Sequence, residues 1–389
     1  MPPRDQLFSA RYFTMCGFTF TVFLSAFQIF PTAPYRILDL GGDKFAAGLF
    51  LGLQTWASAA SAPFTGALGD RIGRRKMLVG CSLAAAFFSV LYALVPTWPL
   101  LVSCVLVYGV FWSGLLAASS AYMTSVIPPS RRAEGIGYWG MATMLAVAAA
   151  PALGLFLYRK GWTAVCISSA VLNLAMAGIA LSLDEIRPPR PEGEGRGRLS
   201  ELVEWRVLAL SGGIFLASFG YGGVVSFAAL WTDQNGIAPR GIFFTTFALV
   251  VLVTRAFSGR LADRIGPRKL LIPCFAVTAL SLLLVSVATT RGLLILSAAC
   301  YAVGYGNVYA FFVAHLLPHI APERRGGAFG ALLAALDTGI GTGSMALGFL
   351  ADRAGYPPAF RVAAFLAALA LPVFLLTDRR FLPRNAGPH

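Results

Sequence analysis

The sequence predicts an all-α membrane protein whose twelve transmembrane helices form two pseudo-symmetric six-helix bundles. Two observations support this prediction: long apolar runs, and a charged motif that occurs once in each half. The 389 residues have a mean hydropathy of +0.71, and only 12% of them are charged, whereas an ordinary soluble domain carries about 25% charged residues. This composition is typical of a protein whose main partner is the lipid bilayer.

Apolar runs long enough to cross a bilayer, roughly 17 to 25 residues, occur twelve times along the chain. The predicted spans 1 to 12 cover residues 12–31, 45–68, 77–95, 99–126, 135–158, 162–183, 206–231, 240–262, 270–288, 292–317, 327–350 and 358–376. The first run is longer than the apolar core of a signal peptide, and eleven more follow it, so span 1 is expected to stay in the protein.

The basic residues are distributed unevenly between the connections. With the connections numbered alternately, 22 of the 31 Lys and Arg residues fall on one side and eight on the other, and Arg255 lies inside a span. The positive-inside rule places the richer side, with both termini, in the cytoplasm. We expect a multi-pass protein of the plasma membrane, or of the inner membrane in a Gram-negative bacterium. The net charge of +14 reports this topology, and nucleic acid is excluded as a partner because the basic residues form no contiguous face with interleaved aromatics.

No residue pattern indicates a cofactor, a metal or an enzyme. The six cysteines lie singly inside apolar runs, so they are interpreted as small core residues. The glycine runs GYGG, 220–223, and GIGTGS, 339–344, also lie inside spans, where we expect them to let helices approach closely instead of binding a dinucleotide. There is no phosphate-binding loop, and no nucleophile and base are grouped at a span end.

An internal repeat divides the chain into halves. The segment GALGDRIGRRK, 66–76, recurs as GRLADRIGPRK, 259–269, at an offset of 193 residues. Residues 184–204 are polar, charged and rich in Pro and Gly, so they are interpreted as a cytoplasmic linker. The predicted domains are a six-helix bundle over 1–183, the linker over 184–204 and a second six-helix bundle over 205–389. The chain is expected to be a monomer.

The repeated segment resembles the loop 2–3 signature of the major facilitator superfamily, Gly-x-x-x-Asp-Arg-x-Gly-Arg-Arg. The matching residues are Gly66, Asp70, Arg71, Gly73, Arg74 and Arg75 in the first copy and Gly259, Asp263, Arg264, Gly266 and Arg268 in the second. Because the copies stand at equivalent connections, the resemblance extends over essentially the whole chain. It implies a secondary transporter that works by alternating access, with a path for a small-molecule substrate between the halves.

The signature residues are expected to form a gate. In the family, as the resemblance implies, the first Asp docks at the start of span 11, here Arg324 and Arg325, and holds the cytoplasmic side closed. Symmetry pairs Asp263 with Arg131 and Arg132 at the start of span 5, and the other basic residues are interpreted mostly as orientation signals. The expected gating residues are Asp70, Arg71, Gly73, Arg74, Asp263, Arg264, Gly266, Arg132 and Arg325.

Two charged residues lie well inside predicted spans, away from the span ends: Asp337 in span 11 and Arg255 in span 8. At 1.5 Å per residue Asp337 lies about 15 Å from the start of its span, near the middle of a core about 30 Å thick. Arg255 lies at a similar depth, so we predict that the two residues face one another. Three roles remain open for the pair: coupling of transport to protons by Asp337, contact with the substrate, and a purely structural clamp.

Further residues are expected to line the substrate path. The resemblance implies that spans 1, 4, 7 and 10 do so, and aromatic residues at i and i+4 on spans 4 and 10 share one helix face. The alternative for each ring is packing in the core. The substrate-path candidates are Gln28, Gln54, Tyr108, Trp112, Phe219, Tyr221, Tyr301, Tyr305 and Asn307.

A partial motif in span 5 bears on the direction of transport. Exporters of the superfamily carry Gly-x-x-x-Gly-Pro-x-x-Gly-Gly there, and this chain keeps Pro151 and Gly154, with the small residues Ala146 and Ala150 at two other positions. The Arg that proton antiporters of the family carry in span 4 is Val105 here. We favour export, and the path candidates, rich in aromatics and almost free of charge, favour a small, partly hydrophobic molecule as substrate. The usual antiporter arrangement is absent, so protons are a candidate coupling ion through Asp337 instead.

Two other interpretations use the same scaffold. The chain could import a sugar, an amino acid or an organic anion, for which more inward-facing amide and acidic groups are expected. It could also be a lipid flippase, which needs lateral openings, or a sensor that binds a ligand without transporting it. A flux assay over a panel of substrates separates these interpretations.

Overall fold

The structure is a computed structural model that describes residues 7–128, 131–185, 205–320 and 325–381. The described residues contain helices, turns and bends and no strand. This follows from the solvent: in lipid every backbone N–H and C=O has to be paired within the chain, and a helix pairs them inside one segment. The all-α membrane fold predicted from the sequence is confirmed.

A long helix occupies each predicted span. Spans 1 to 6 are Ala10–Ile29, Lys44–Ile72, Arg74–Leu94, Trp98–Val126, Arg132–Tyr158 and Trp162–Leu181. Spans 7 to 12 are Gly212–Gln234, Ile242–Ile265, Pro267–Val287, Arg291–Leu316, Arg325–Ala354 and Tyr356–Phe381. Two short helices, Ala33–Asp39 and Trp205–Leu210, and a 3-10 turn, Leu317–His319, complete the described elements.

The helices run past several of the predicted limits. Span 2 continues to Ile72 and span 12 to Phe381, because the helical hydrogen bonds persist where the apolar run has already given way to charged residues. Eleven helical segments in the described chain are long and apolar enough to cross a membrane by length and composition. Span 2 is outside that set; its buried Gln54, Thr55 and Ser58 make it more polar.

The chain forms two compact units. The first unit contains the helices of the first half apart from the start of span 2, and the second unit contains Asp43–Thr55 with the second half. The start of span 2 packs closely within the second unit, because a side chain at Gly48 would overlap the backbone of Ser344. The Ser344 hydroxyl donates to the Gly48 carbonyl oxygen at 2.8 Å. The linker predicted at 184–204 lies, from residue 186 onward, outside the described residues.

Glycines bring spans 7 and 11 together inside the second unit. A Cβ atom at Gly222 would overlap the backbone of Ile340, and one at Gly343 would overlap the backbone of Phe219. Both glycine runs of the sequence are thus helical and lie at a helix–helix contact, as predicted. In a membrane such contacts depend on close van der Waals packing, because lipid supplies no hydrophobic driving force between helices.

Replacing Gly343 by Ala is therefore expected to destabilise the second unit by about 1–3 kcal/mol, because the added methyl group forces two backbones apart. The matched control is Gly330→Ala on the same helix, where a Cβ meets open space and the gain in helix propensity is up to about 1 kcal/mol. Chemical unfolding of the purified protein in detergent measures both. Equal effects for the two variants would contradict the close packing.

Candidate functional site

The two signature loops have the same backbone conformation. Spans 2 and 3 are separated by Gly73 alone, with φ of +105°, and spans 8 and 9 by Gly266 alone, with φ of +91°. Only glycine adopts such a positive φ without a steric cost from Cβ. The central Gly of each signature copy is therefore required by a one-residue reversal between two helices.

Residues near Gly73 link the helix ends at the side of the first unit where this loop lies. The Arg75 guanidinium donates to the Leu181 carbonyl oxygen at 2.6 Å, and its backbone N–H donates to a Glu185 carboxylate oxygen at 3.3 Å. The Tyr122 hydroxyl donates to the Asp184 carbonyl oxygen at 3.1 Å. We call Arg75, Tyr122 and Glu185 the first clasp, since they join the start of span 3 to the ends of spans 4 and 6.

The corresponding end of the second unit is tied by charged side chains. The Arg268 Nε atom donates to one Asp378 carboxylate oxygen at 2.6 Å, and His315 Nε2 lies 2.7 Å from the other. Asp378 is buried, so both of its oxygens are held in a site with little water. We call Arg268, His315 and Asp378 the second clasp.

The two clasps are equivalent in the repeat. Each residue of the second clasp stands 193 positions after its counterpart, with Arg268 after Arg75, His315 after Tyr122 and Asp378 after Glu185. Sequence reasoning missed this relation, although applying the motif's own offset to the ends of spans 4 and 6 would have found it. In each unit the signature thus supplies an Arg that joins the start of the third helix to the end of the sixth, and Tyr122 or His315 adds the fourth helix.

The first gating candidates lie at the surface of their unit. Asp70 is exposed, and one of its carboxylate oxygens lies 3.8 Å from Arg74 Nη2. Arg74 is turned inward and donates to the Ala121 carbonyl oxygen at 2.7 Å, whereas Arg71 is exposed. The Asp70 carboxylate is therefore only loosely held by its own helix end.

Asp263, the acidic residue of the second signature copy, has even fewer ion-pair contacts than Asp70 in the described chain. Asp263 and Arg264 are exposed, and within the described residues no ion pair involves either of them. Of the expected partners, Arg324 lies outside the described residues, and so do the side chains of Arg132 and Arg325. The docking of the two signature Asp residues therefore stays a prediction.

The intramembrane charges occupy separate settings in the second unit. Asp337 is half-buried near the middle of span 11, about 18 Å from the first residue of the helix. Arg255 donates from Nη2 to the Gly306 carbonyl oxygen at 3.0 Å, and its Nε is buried without a partner. No ion pair joins the two residues within the described chain, but Tyr309 interacts electrostatically with both. Arg255 and Asp337 were predicted to face one another, but their side chains form no direct pair. Equal depth in the membrane does not fix the direction in which each side chain points.

Three tyrosines stack beside Asp337. The ring centroids of Tyr221 and Tyr305 are 4.7 Å apart at an interplanar angle of 19°, and those of Tyr305 and Tyr301 are 5.2 Å apart at 10°. Tyr305 also interacts electrostatically with Asp337, and its hydroxyl lies 3.3 Å from the Ser218 hydroxyl. We call Tyr221, Tyr305 and Tyr301 the tyrosine ladder; it joins span 7 to span 10.

The other candidates of the second unit have packing roles or unpaired polar atoms. Phe219 is buried at the contact of spans 7 and 11, which supports the packing interpretation for that ring. Asn307 donates to the Val303 carbonyl oxygen at 3.0 Å, while its Oδ1 is buried without a partner. The Tyr301 hydroxyl and both polar atoms of the Gln54 side chain are likewise buried and unpaired among the described residues.

The path candidates of the first unit are Gln28, Tyr108 and Trp112. The ring centroid of Trp112 lies 5.6 Å from that of Phe23 on span 1 and 6.4 Å from that of Tyr108. Gln28 is fully buried; its Oε1 accepts a hydrogen bond from Ser168 at 3.1 Å, and its Nε2 has no partner in the described chain. The two candidate rings and the amide are therefore all buried within the first unit.

The repeat offset also relates these two sets of residues. Gln28, Tyr108 and Trp112 stand 193 positions before the ladder residues Tyr221, Tyr301 and Tyr305. The chain thus presents the same three helix positions twice, once as an amide with two aromatic rings and once as three stacked phenols. The carboxylate near the second set has no counterpart, since the residue 193 positions before Asp337 is Met144.

Comparison with known proteins gives consistent matches over the whole chain. The Major Facilitator Superfamily model matches residues 15–239 and 210–389. The relative named "Uncharacterized MFS-type transporter YhhS" from Escherichia coli (strain K12) is 26% identical over 378 residues, covering 95% of this chain and 92% of that protein. A bacterial homologue of the human lysosomal transporter Spinster superposes with a TM-score of 0.80 at 16% identity over 100% of both chains. A POT family transporter in complex with 5-aminolevulinic acid gives a TM-score of 0.80 at 12% identity, covering 98% of this chain and 99% of that chain.

Replacing Asp378 by Asn is expected to lower the free energy of unfolding by about 1–3 kcal/mol, because Arg268 and His315 lose their charged acceptor in a buried site. The control is Asp233→Asn, whose carboxylate pairs with Arg240 at an exposed position, where a change of about 0.5 kcal/mol or less is expected. Thermal or chemical unfolding in detergent gives both values. The second clasp would be structurally unimportant if the two variants unfolded alike.

Proposed function

The chain belongs to the major facilitator superfamily of membrane transporters, and we propose that it exports a small, partly hydrophobic molecule by alternating access, as a secondary active transporter. The observation that carries the proposal is the half-buried carboxylate of Asp337 beside the tyrosine ladder. Ionisable residues inside spans are rare and mark substrate or ion pathways, and stacked rings provide surface for an apolar group. At 12% and 16% identity the structural matches support the fold and leave the substrate to these residues.

Export is favoured by the environment of span 5. Gly154, which matches the exporter motif, lies so close to span 1 that a side chain there would overlap the backbone of Gln28. Ala146 and Ala150, which replace two motif glycines, are fully buried. The small residues therefore support the same close helix packing that the exporter motif provides, even though the motif itself is incomplete.

Proton coupling is assigned to Asp337. Its carboxylate has no hydrogen bond or ion pair within the described chain, and Arg255 is engaged with the Gly306 carbonyl instead. A carboxylate without a fixed counter-ion can gain and lose a proton without breaking a structural contact, which favours proton exchange or substrate contact over the structural clamp. Arg255, by contrast, acts as a tie between spans 8 and 10.

The signature loops supply the gate in this proposal. Asp70 and Asp263 are exposed at the ends of their units. Each is therefore available for a contact that forms in only one conformational state. The clasps join helices within each unit, which supports movement of each half as a body. By the positive-inside rule these ends, and both termini, lie in the cytoplasm of a plasma-membrane protein.

Purified protein in proteoliposomes is expected to move at least one small amphipathic compound of a substrate panel, with a rate that rises when a pH gradient is imposed. Asp337→Asn should abolish that pH dependence, because an amide cannot exchange a proton at these pH values. Asp352→Asn, at the exposed end of the same helix, should keep it. Flux of the Asp337→Asn variant with an unchanged pH dependence would overturn the proton role.

Replacing Asp70 by Asn should weaken the closed state of the cytoplasmic side by about 1–3 kcal/mol, a typical coupling energy between conformational states. A single cysteine introduced into the path of a cysteine-free variant should then react faster with a membrane-impermeant thiol reagent from the cytoplasmic side. Lys76→Gln in the same loop is the control, because Lys76 is assigned only to orientation. If labelling and flux do not respond to Asp70→Asn, the signature acts in topology and in the clasp alone.

A further inference from the structure

The tyrosine ladder presents ring faces of one chemical character. Its rings are nearly parallel, with Tyr305 stacked against both of the others, and the end ring, Tyr221, is half-buried, so part of its surface stays accessible. Aromatic faces carry the negative side of the ring quadrupole and attract either another planar ring or a cation. A ligand with both features would gain from both interactions at this place.

The accessible charge beside the ladder is negative. The Asp337 carboxylate is half-buried and has no partner in the described chain, while Tyr305 and Tyr309 interact with it electrostatically. Arg255 does not neutralise it, since that guanidinium donates to Gly306 and its Nε is buried. In a site of low dielectric an unpaired carboxylate attracts a positive group far more strongly than it would in water.

One polar atom of the ladder itself lacks a partner. The Tyr301 hydroxyl is buried and unpaired among the described residues, and a buried polar atom without a partner is costly in a finished core. Asn307 Oδ1 is also unpaired, but its side chain contacts Thr254 of span 8 and does not share a helix face with Tyr305. The polar groups assigned to the ladder are therefore a carboxylate and hydroxyls.

We infer that the tyrosine ladder and Asp337 bind an aromatic organic cation, a planar ring that carries a positive charge, with its ring against Tyr221, the accessible end ring of the ladder, and its charge near Asp337. This assignment names the substrate class and rests on the transport function proposed above. A carboxylate, rather than a ring of polar groups, makes the charge of the ligand the main determinant of specificity. The same compound without its charge should lose most of its affinity, since it keeps only the stacking interaction.

The test is equilibrium binding of 1-methyl-4-phenylpyridinium to the full-length protein in lipid nanodiscs. Its uncharged isostere 4-phenylpyridine, under conditions that leave it unprotonated, and the anion 4-phenylbenzoate serve as comparison ligands. The cation is expected to bind about tenfold more tightly than the isostere, the range of a desolvated cation–aromatic and carboxylate contact. Equal affinities, or tighter binding of 4-phenylbenzoate that depends on Arg255, would overturn the inference.

Variants separate the two interactions. Asp337→Asn should weaken binding of the cation about tenfold and leave the isostere unaffected, whereas Asp337→Glu should keep the preference for charge. Tyr221→Leu should lower the affinity for both ligands by a similar factor, and Tyr221→Phe should leave both affinities unchanged. Asp352→Asn, on the same helix but outside the cluster, is the matched control. If Asp337→Asn did not fold, the Tyr221 and Asp337→Glu variants would still decide, and loss of the charge preference in Asp337→Glu would contradict the inference.

The binding result and the flux result can fail separately. A protein that transports other compounds of the panel and ignores the cation refutes this substrate class, while the transport function stands. Binding of the cation that depends on Asp337, without flux of any compound, supports the site and contradicts the proposed transport.

Discussion

In the bilayer core, polar groups have no water to pair with, and this constraint shapes the structure at every level. It makes the described chain helical, because helices pair their own backbone groups. It also makes each intramembrane polar side chain informative: most are tied to a neighbouring backbone carbonyl, as Arg255 is to Gly306. Asp337 departs from this pattern, since its carboxylate is accessible and without a partner in the described residues. In the proposed function, such a carboxylate exchanges a proton or binds a ligand.

The duplicated clasps show how one structural task is met twice with different chemistry. Each joins the start of the third helix of its half to the ends of the fourth and sixth. In the first half a tyrosine hydroxyl and an Arg donate to backbone carbonyls. In the second half His315 and Arg268 share one buried carboxylate. Repeat symmetry therefore fixes where the helices are fastened and leaves open which interaction fastens them, so the second half depends more on charge.

Hydropathy and periodicity could predict the number and order of the spans, because burying about 20 apolar residues in lipid leaves a strong signal along the chain. The motif identified the glycine of each signature loop only as a gating candidate; its place in a one-residue helix reversal came from the structure. The direction of Arg255 and Asp337 around their helices could not be predicted, since spans that are apolar on all sides carry little information on which face meets which neighbour. Their depths could be counted and their contacts could not. The same limit explains why the buried contact of Asp378, at the charged end of span 12, escaped the sequence.

The repeat also shows where the halves diverged. At the three equivalent positions the first half holds Gln28, Tyr108 and Trp112, whose two rings are tilted by 36°. The second half holds the nearly parallel phenols of the tyrosine ladder. The intramembrane charges likewise belong to the second half alone. A duplicated scaffold requires neither difference, because both halves fold with the same helices and reversals. The asymmetry therefore points to specialisation of the second half, which holds both the stacked phenols and the two charges that lie well inside the spans.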